Sequence, residues 1–329
     1  MTTINENSDF LFIYEAILSN PNGDPDQENR PRMDYDTKTN LVTDVRLKRF
    51  IRDYLADKDF EIFVDMESDA KVSMETKLKA EINKILSKSE NIDKIFENAP
   101  EYKRKFDELF PNTTLFENSD SEKIYEKVKK DKDLAQFILS SLVKFFFIDI
   151  RMFGSAFAIE SFKKAFTGAI QINWGYSLHP VELVKSDSIV TIMNDDESTF
   201  GKDYRLYYSL IAFNGTINKN AAKTTFLTDE DRKVFRDAIW NSIPANPTRS
   251  KINQYPKFYI EIIYNDNYSN GYFGDLRNYI EVKPKTDHVR KFSDLEFNLD
   301  NLKSLIKENK GENKAIKEVL IKQSPDINY

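Results

Sequence analysis

The chain has 329 residues, 40% of them hydrophobic, and carries 54 acidic against 48 basic side chains for a net charge of −6. That length allows a substantial core in one large domain or two, while a pI near 5.3 argues against a free-standing nucleic-acid binder, which is ordinarily basic over its whole surface. The absence of cysteine removes disulfides, thiol catalysis and cysteine metal sites together.

Two histidines, His179 and His288, with no HExxH or histidine cluster, leave no zinc motif. The opening MTTINENSD lacks the apolar stretch of a signal peptide, and nothing later approaches the roughly eighteen apolar residues of a membrane span. The expected place is the cytoplasm, with no membrane partner. Residues 9 to 18 run apolar with aromatic and β-branched side chains, which predicts a largely buried first strand. Residues 20 to 43 are too rich in Pro, Asn, Asp and Gly for helix or strand. From about residue 43 to 57, Leu47, Phe50, Ile51, Tyr54 and Leu55 share one face of a predicted helix and leave Arg49 and Arg52 pointing away.

Between Arg30 and Arg52, seven bases (Arg30, Arg32, Lys38, Arg46, Lys48, Arg49, Arg52) meet three acids (Asp34, Asp36, Asp44). A basic island in an acidic chain predicts a docking surface for a polyanion, although a solvated helix surface would carry the same charges. Arginine pairs with phosphate in a bidentate way, and the irregular loop around Asn22 can present amides to the same phosphates.

Residues 60 to 64 predict a short second strand, and strand, helix, strand at the outset fit a β-α-β-β-α-β plan. From 65 to 141 the composition turns to Lys, Glu, Asp and Ser with apolar residues at helical spacing, predicting an inserted helical lobe interrupted near Pro100 and Pro111. LVKFFFIDI (142 to 150) predicts a return to buried strand. Arg151, Phe153, Gly154 and Ser155 would then form its exit, where Gly154 permits close backbone approach. At 167 to 178, alternation puts Ile170 and Ile172 on one face and Gln171 and Asn173 on the other. An exposed amide pair beside Trp174 suits hydrogen bonding and stacking of a base, unless Trp174 packs in the core.

Residues 186 to 203 predict a β-hairpin with a polar tip at 194 to 198. A long strand at 203 to 217 leads to a loop offering Asn218, Lys219, Asn220 and Lys223. Residues 227 to 243 form an amphipathic helix that Thr228 can cap. Arg249, Ser250 and Lys251 alternate bases with a hydroxyl, an arrangement that grips successive phosphates. A core strand at 256 to 265, a turn at 270 to 274, a strand at 276 to 283 and a helix pair over 293 to 322 complete the chain.

FLFIYEAIL, then SNPNGDPDQENRPRMDYDT, then NLVTDVRLKRFIRDYL resembles the repeated backbone subunit of type I CRISPR surveillance complexes, in the I-B (Csh) branch of the Cas-seven family. The likeness returns in order at DIRMFGSAF (149 to 157), TGAIQINWGYSLHPVE (167 to 182), LIAFNGTINKNAAKT (210 to 224) and NPTRSKINQYPKFYIEIIY (246 to 264). It implies an α+β fold with an RRM/ferredoxin-like antiparallel-sheet palm (1–64, 142–178 and 204–292). Joined to that palm would be an inserted helical finger lobe (65–141), a β-hairpin thumb (179–203) and a helical tail (293–329).

The function it implies is non-catalytic, without cofactor, in the Cascade complex of antiviral defence. Copies would polymerise along a CRISPR guide RNA beside other Cascade subunits, grip its backbone and leave its bases to pair with target DNA. The RNA contacts would come from Asn22, Arg30, Arg32, Arg46, Arg49, Arg52, Arg151, Phe153, Gly154, Ser155, Gln171, Asn173, Trp174, Asn218, Lys219, Asn220, Arg249, Ser250 and Lys251. At the thumb tip, Ile192 and Met193 would wedge one nucleotide out of the stack. An alternative is a metal-dependent endoribonuclease, because related type III subunits cut RNA with a loop aspartate. Here Asn20, Asn22, Asp24, Asp26 and Glu28 alternate like oxygen ligands, without an EF-hand glycine. A third reading, an adaptor that binds no nucleic acid, rests on the acidic pI alone.

Overall fold

The structure is a computed structural model that describes residues 2–64, 73–111, 123–185, 188–194, 197–327 and 329. These fold as two units, one of residues 1–4, 55–169 and 220–231, the other of residues 5–54, 170–219 and 232–329. In the second unit one sheet is built from β1 (Ser8–Ser19), β2 (Met33–Asp34), β3 (Thr39–Val42), β4 (Ile170–Ile172), β5 (Gly175–Ser177), β6 (Leu206–Ile217), β7 (Gln254–Tyr264) and β8 (Ile316–Gln323). The lateral order is β8-β7-β1-β6-β5-β3-β2, with β4 also on β6, and all pairs are antiparallel.

The apolar run of β1 is continuous because the strand is central and covered on both faces. Its Phe12 lies opposite Phe213 on one neighbour and Tyr259 on the other. On one face Phe10 meets Phe235 of the helix Asp229–Ala245, ring centroids 5.3 Å apart. The Tyr54 hydroxyl, 2.9 Å from the Asp237 carboxylate, ties that helix to the helix Asp44–Ala56. On the other face Leu11, Ile13, Ile260 and Ile262 pack with Leu276, Leu295, Leu299 and Leu302 in one core. The central strands therefore present no open sheet surface, and a ligand meets this unit at edges and loops.

His179, 4% exposed, is built into the β6 side of this sheet. Its Nε2 accepts the Leu210 amide at 3.2 Å, so Nδ1 carries the proton and donates to the Pro180 carbonyl at 2.8 Å. Burial holds the imidazole below its ordinary value, so the unfolded chain takes up a proton first and stability falls as pH drops below about 6.5. His179→Leu should strand the Leu210 amide at a cost of about 1–3 kcal/mol. Urea unfolding at several pH values should also show a shallower acid loss than wild type.

The first unit is mainly helical, with Met74–Leu86, Ser89–Phe96, Pro100–Leu109, Ile124–Val128, Lys132–Phe145 and Ile148–Phe153 around a core that includes Leu78, Ile82, Phe106, Ile138, Leu142 and Phe147. Residues 142 to 150, where the sequence predicts strand, thus hold the end of one helix and the start of the next. An apolar run this short does not distinguish a buried strand from a buried helix, and the Phe145–Phe147 triplet falls at the break between two helices. Residues 60 to 64 are not a strand either; the buried Asp149 carboxylate accepts the Phe63 and Val64 amides at 2.9 and 3.0 Å and holds them in place.

Three more segments depart from the pattern. Residues 219 to 225, expected as loop, are the helix Lys219–Thr225. Residues 276 to 283 begin as a 3-10 turn, Leu276–Tyr279, before the short strand Glu281–Pro284. The expected C-terminal helix pair is one helix, Asp300–Asn309, and then β8, which completes the sheet by pairing with β7. Among the described residues no helix is long and apolar enough to cross a membrane.

Candidate nucleic-acid interface

The turn after β1 is held by its own side chains. Asn22 Oδ1 accepts from the Thr43 amide at 2.9 Å and its hydroxyl at 3.0 Å, and the Thr43 hydroxyl in turn accepts the Arg46 amide. The loop is thereby fixed to the start of the helix Asp44–Ala56. Asp24, 8% exposed, receives Arg32 Nη2 at 3.1 Å and the Asp26 amide at 3.3 Å. This engages the carboxylate of Asp24, one of the two loop aspartates, with Asp26, that the metal reading names. Among the described residues no three His, Cys, Asp or Glu side chains are grouped to share a metal ion.

Arg30 lies over the Tyr204 ring at 4.6 Å and donates to its hydroxyl at 3.3 Å, while Glu28 gathers Tyr204 and Lys202. Arg32 sits 5.7 Å from the centre of the Trp174 ring. On the helix, Lys48 pairs with Asp44 and Arg49 with Asp53, so part of the basic island is neutralised within the helix. Arg46 and Arg52 are half-buried, and the Arg46 guanidinium stacks 3.9 Å over Phe50.

The loop at 249 to 251 lies against this same turn. The Ser250 carbonyl accepts the Asn20 amide at 2.8 Å, and the Lys251 amine donates to the Asn20 carbonyl. Arg249 is exposed, 3.6 Å from Asp203. Residues some 230 positions apart in sequence thus form one surface at the Ser19 end of β1.

Gln171, Asn173 and Trp174 are exposed, Trp174 at 44%, while Ile170 and Ile172 are buried. The expected alternation holds, and the tryptophan is available as a platform. Its placement depends on Arg277, a residue the motif reading missed. That buried guanidinium donates to the Trp174 carbonyl at 2.8 Å and the Ala212 carbonyl at 3.3 Å, and its charge is met by Asp275. No local motif announces such a role, since Arg277 sits about a hundred residues from the turn it supports.

Asn218 and Lys219 stand at the far end of β6, where they meet Asn270 at 3.0 Å and Asp266 at 3.4 Å. Because Ser8 pairs with Ile217 and Ser19 with Leu206, this end lies about 36 Å from the Asn20 turn. Gln171, opposite Thr216, and Asn173, whose amide donates to Asn214, fall between along the edge of β6. Along this edge Gln171, Asn173 and Trp174 are exposed, while Asn218 at one end and Arg32 at the other are half-buried and Asn20 is buried. Asn220 is exposed and accepts from Lys223 at 3.3 Å.

The segment at 151 to 155, in the helical unit, is arranged differently from the expectation. Arg151 is not at a strand exit but inside, 7% exposed, with Nε and Nη2 on the two oxygens of Asp231 at 2.9 and 2.7 Å. Phe153 is buried, whereas Gly154 and Ser155 are half-buried. Gly154 has φ +76°, and a Cβ there would lie 2.3 Å from the Phe166 carbonyl, so the close approach read from the sequence is real. The strands Ser188–Asn194 and Glu197–Lys202 pair as a separate hairpin. Ile192 and Met193 lie on its first strand, and their side chains fall outside the described part of the structure, as do tip residues 195 and 196.

The sequence profile of the family described as CRISPR-associated protein Cas7 matches residues 6–300. A CRISPR-associated protein Cas7 from Haloferax volcanii is 29% identical over 291 residues, which cover 86% of this chain and 76% of that protein. Among solved structures, a chain of a pre-nicking CRISPR RNA-guided surveillance complex superposes with a TM-score of 0.48 at 12% identity, over 80% of each chain. A chain of another CRISPR RNA-guided surveillance complex gives 0.38 at 11% identity, over 81% of this chain and 72% of that one. The chain belongs to the CRISPR-associated protein Cas7 family.

Proposed function

We propose that this chain is a non-catalytic, guide-RNA-binding backbone subunit of a type I-B CRISPR surveillance complex in the cytoplasm. The observation that carries the reading is the family match across nearly the whole chain. In this reading copies polymerise along the guide with other Cascade subunits and present its bases to target DNA. The strand–helix–strand–strand–helix–strand succession of β1, β5, β6 and β7 with their two helices serves as an RRM-like palm, and the hairpin Ser188–Lys202 serves as the thumb. The edge from Asn218 to the Asn20 turn supplies the amides, bases and aromatic ring that sequence-independent RNA binding draws on.

Co-expression with a guide RNA should yield protein–RNA filaments. A strictly monomeric protein that ignores added guide would count against the proposal, and magnesium-dependent cleavage of bound RNA, lost in Asp24→Ala, would favour the enzyme instead. Trp174→Ala should weaken RNA binding by about 1–3 kcal/mol per subunit with little change in melting temperature, because the ring is largely outside the core. Equal affinity for the mutant in fluorescence-anisotropy titrations would remove Trp174 from the contact set.

A further inference from the structure

Within the helical unit, the helix Ser89–Phe96, the turn at 98 and 99 and the last turns of the helix Lys132–Phe145 enclose a pocket of about 260 Å³. Its walls are mainly the rings of Phe137, Phe145 and Phe226, each half-buried. Phe137 is held in place from behind, stacked on Tyr102 at 4.1 Å with the rings 6° from parallel, and on Phe96 at 5.6 Å. The hole is therefore formed before anything enters it.

Phe226 reaches the pocket at a conformational cost. It follows the helix Lys219–Thr225 with φ +68°, its amide donating to the Ala222 carbonyl at 2.7 Å. That position after a helix ordinarily falls to glycine, and a bulky residue there is an outlier. A phenylalanine kept against its backbone preference points to a use for the ring.

Two lysines complete the lining. The Lys94 amine lies 5.6 and 5.1 Å from the ring centres of Phe145 and Phe146, and the Lys144 amine 4.9 and 5.9 Å from those of Phe145 and Phe226. Both cations are thus seated over aromatic faces. Among the described residues neither forms an ion pair, and no residue lining the pocket is acidic. In a chain with more acids than bases, this is an apolar hole with a positive rim.

We propose that this pocket docks an acidic segment of a protein partner, one apolar side chain of which enters between the phenylalanines while flanking carboxylates meet Lys94 and Lys144. The volume falls below the roughly 300–1,000 Å³ of small-molecule sites and suits a single anchoring side chain. Charge names the flanks, because a carboxylate is what each ammonium lacks. A nucleic-acid strand fits less well. A base buried here would need partners for its polar edge, yet the Ser140 hydroxyl on the wall already donates to the Gln136 carbonyl at 2.7 Å and accepts from Lys164 at 2.8 Å, and no arginine lines the pocket to grip phosphate. None of these residues belongs to the RNA contacts proposed above, so the two readings stand or fall separately.

The test is fluorescence anisotropy of the whole protein with a short labelled peptide carrying one phenylalanine between runs of glutamate. The expected result is binding that weakens about tenfold or more when alanine replaces the peptide's phenylalanine, or lysines its glutamates, and that declines with added salt. Lys94→Glu and Lys144→Glu should each weaken it about tenfold. Phe226→Gly, whose lost packing is offset in part by relief of the positive φ, should stay folded by melting temperature and bind the peptide about tenfold more weakly. Guide-RNA affinity should be the same in all three variants as in wild type. Absence of peptide binding, or binding indifferent to the central residue or to the three variants, overturns the proposal. Displacement of the peptide by single-stranded RNA whose own affinity drops in Lys94→Glu would give the pocket to nucleic acid, and self-association without RNA that Lys94→Glu abolishes would give it to a second copy of this chain; either result also overturns it. Peptide docking in a protein that ignores guide RNA would sink the guide-RNA reading alone.

Discussion

Arg151→Met should destabilise the helical unit by about 3–5 kcal/mol, the cost of leaving one member of a buried pair without the other. Arg151 Nη1 also donates to the Val143 carbonyl at 3.1 Å, so one side chain closes the end of the helix Lys132–Phe145 as well as neutralising Asp231. Asp231 in turn accepts the Thr228 amide at 3.0 Å, at the start of the helix Asp229–Ala245. Asp231→Asn in the same background should recover part of the loss, because the uncompensated charge is then gone. Denaturant unfolding measures both. An Arg151→Met protein with unchanged midpoint and reduced RNA affinity would instead return this arginine to the RNA-contact set.

Glu261→Gln should be of similar size, about 3–5 kcal/mol, for a different reason. The carboxylate of Glu261, 0% exposed, receives Arg232 Nε at 2.8 Å, Arg236 Nε at 2.6 Å, the Ser8 hydroxyl at 2.6 Å and the Tyr259 hydroxyl at 2.9 Å. Neutralising it leaves two guanidinium groups facing each other beneath a helix. Burial alone pushes the Glu261 carboxyl up, yet the hydrogen bond from Arg236 and the charges of Arg232 and Arg236 outweigh it and hold the acid below its usual value. The contribution is therefore complete above about pH 4.3 and is lost as pH falls toward the depressed native value. Wild type should lose stability steeply over that acid interval and Glu261→Gln much less, which urea titrations at several pH values would show. Parallel curves for the two proteins would refute the assignment.

What the sequence made legible was whatever repeats locally. β1, β6, β7 and the helices Asp44–Ala56 and Asp229–Ala245 stand where periodicity predicts them, because each buries a face that its own spacing defines. The exposed Gln171–Asn173 pair was legible for the same reason. Partners distant in sequence were not. Arg151 follows an apolar run and reads as a surface base, since nothing nearby announces Asp231 eighty residues later. β8, IKEVLIKQ, is half lysine, glutamate and glutamine and reads as helix; pairing with β7 makes it strand, a tertiary choice that overrides local preference. Lys251 reads as a phosphate ligand on a loop, and only the fold shows its amine engaged by the Asn20 carbonyl.

The position of β1 at the centre of the sheet bears on how the chain is made. Roughly 190 residues separate its end from the start of β6, the nearer in sequence of its two neighbours. At the pace of ribosomal synthesis that interval lasts about 10–40 s. The helical stretch made in the meantime closes its own contacts within shorter spans of chain, but the first strand emerges early, apolar on both sides, with neither edge matched. Until the far half of the polypeptide arrives, those twelve residues are the part of the nascent chain most open to mispairing with another molecule.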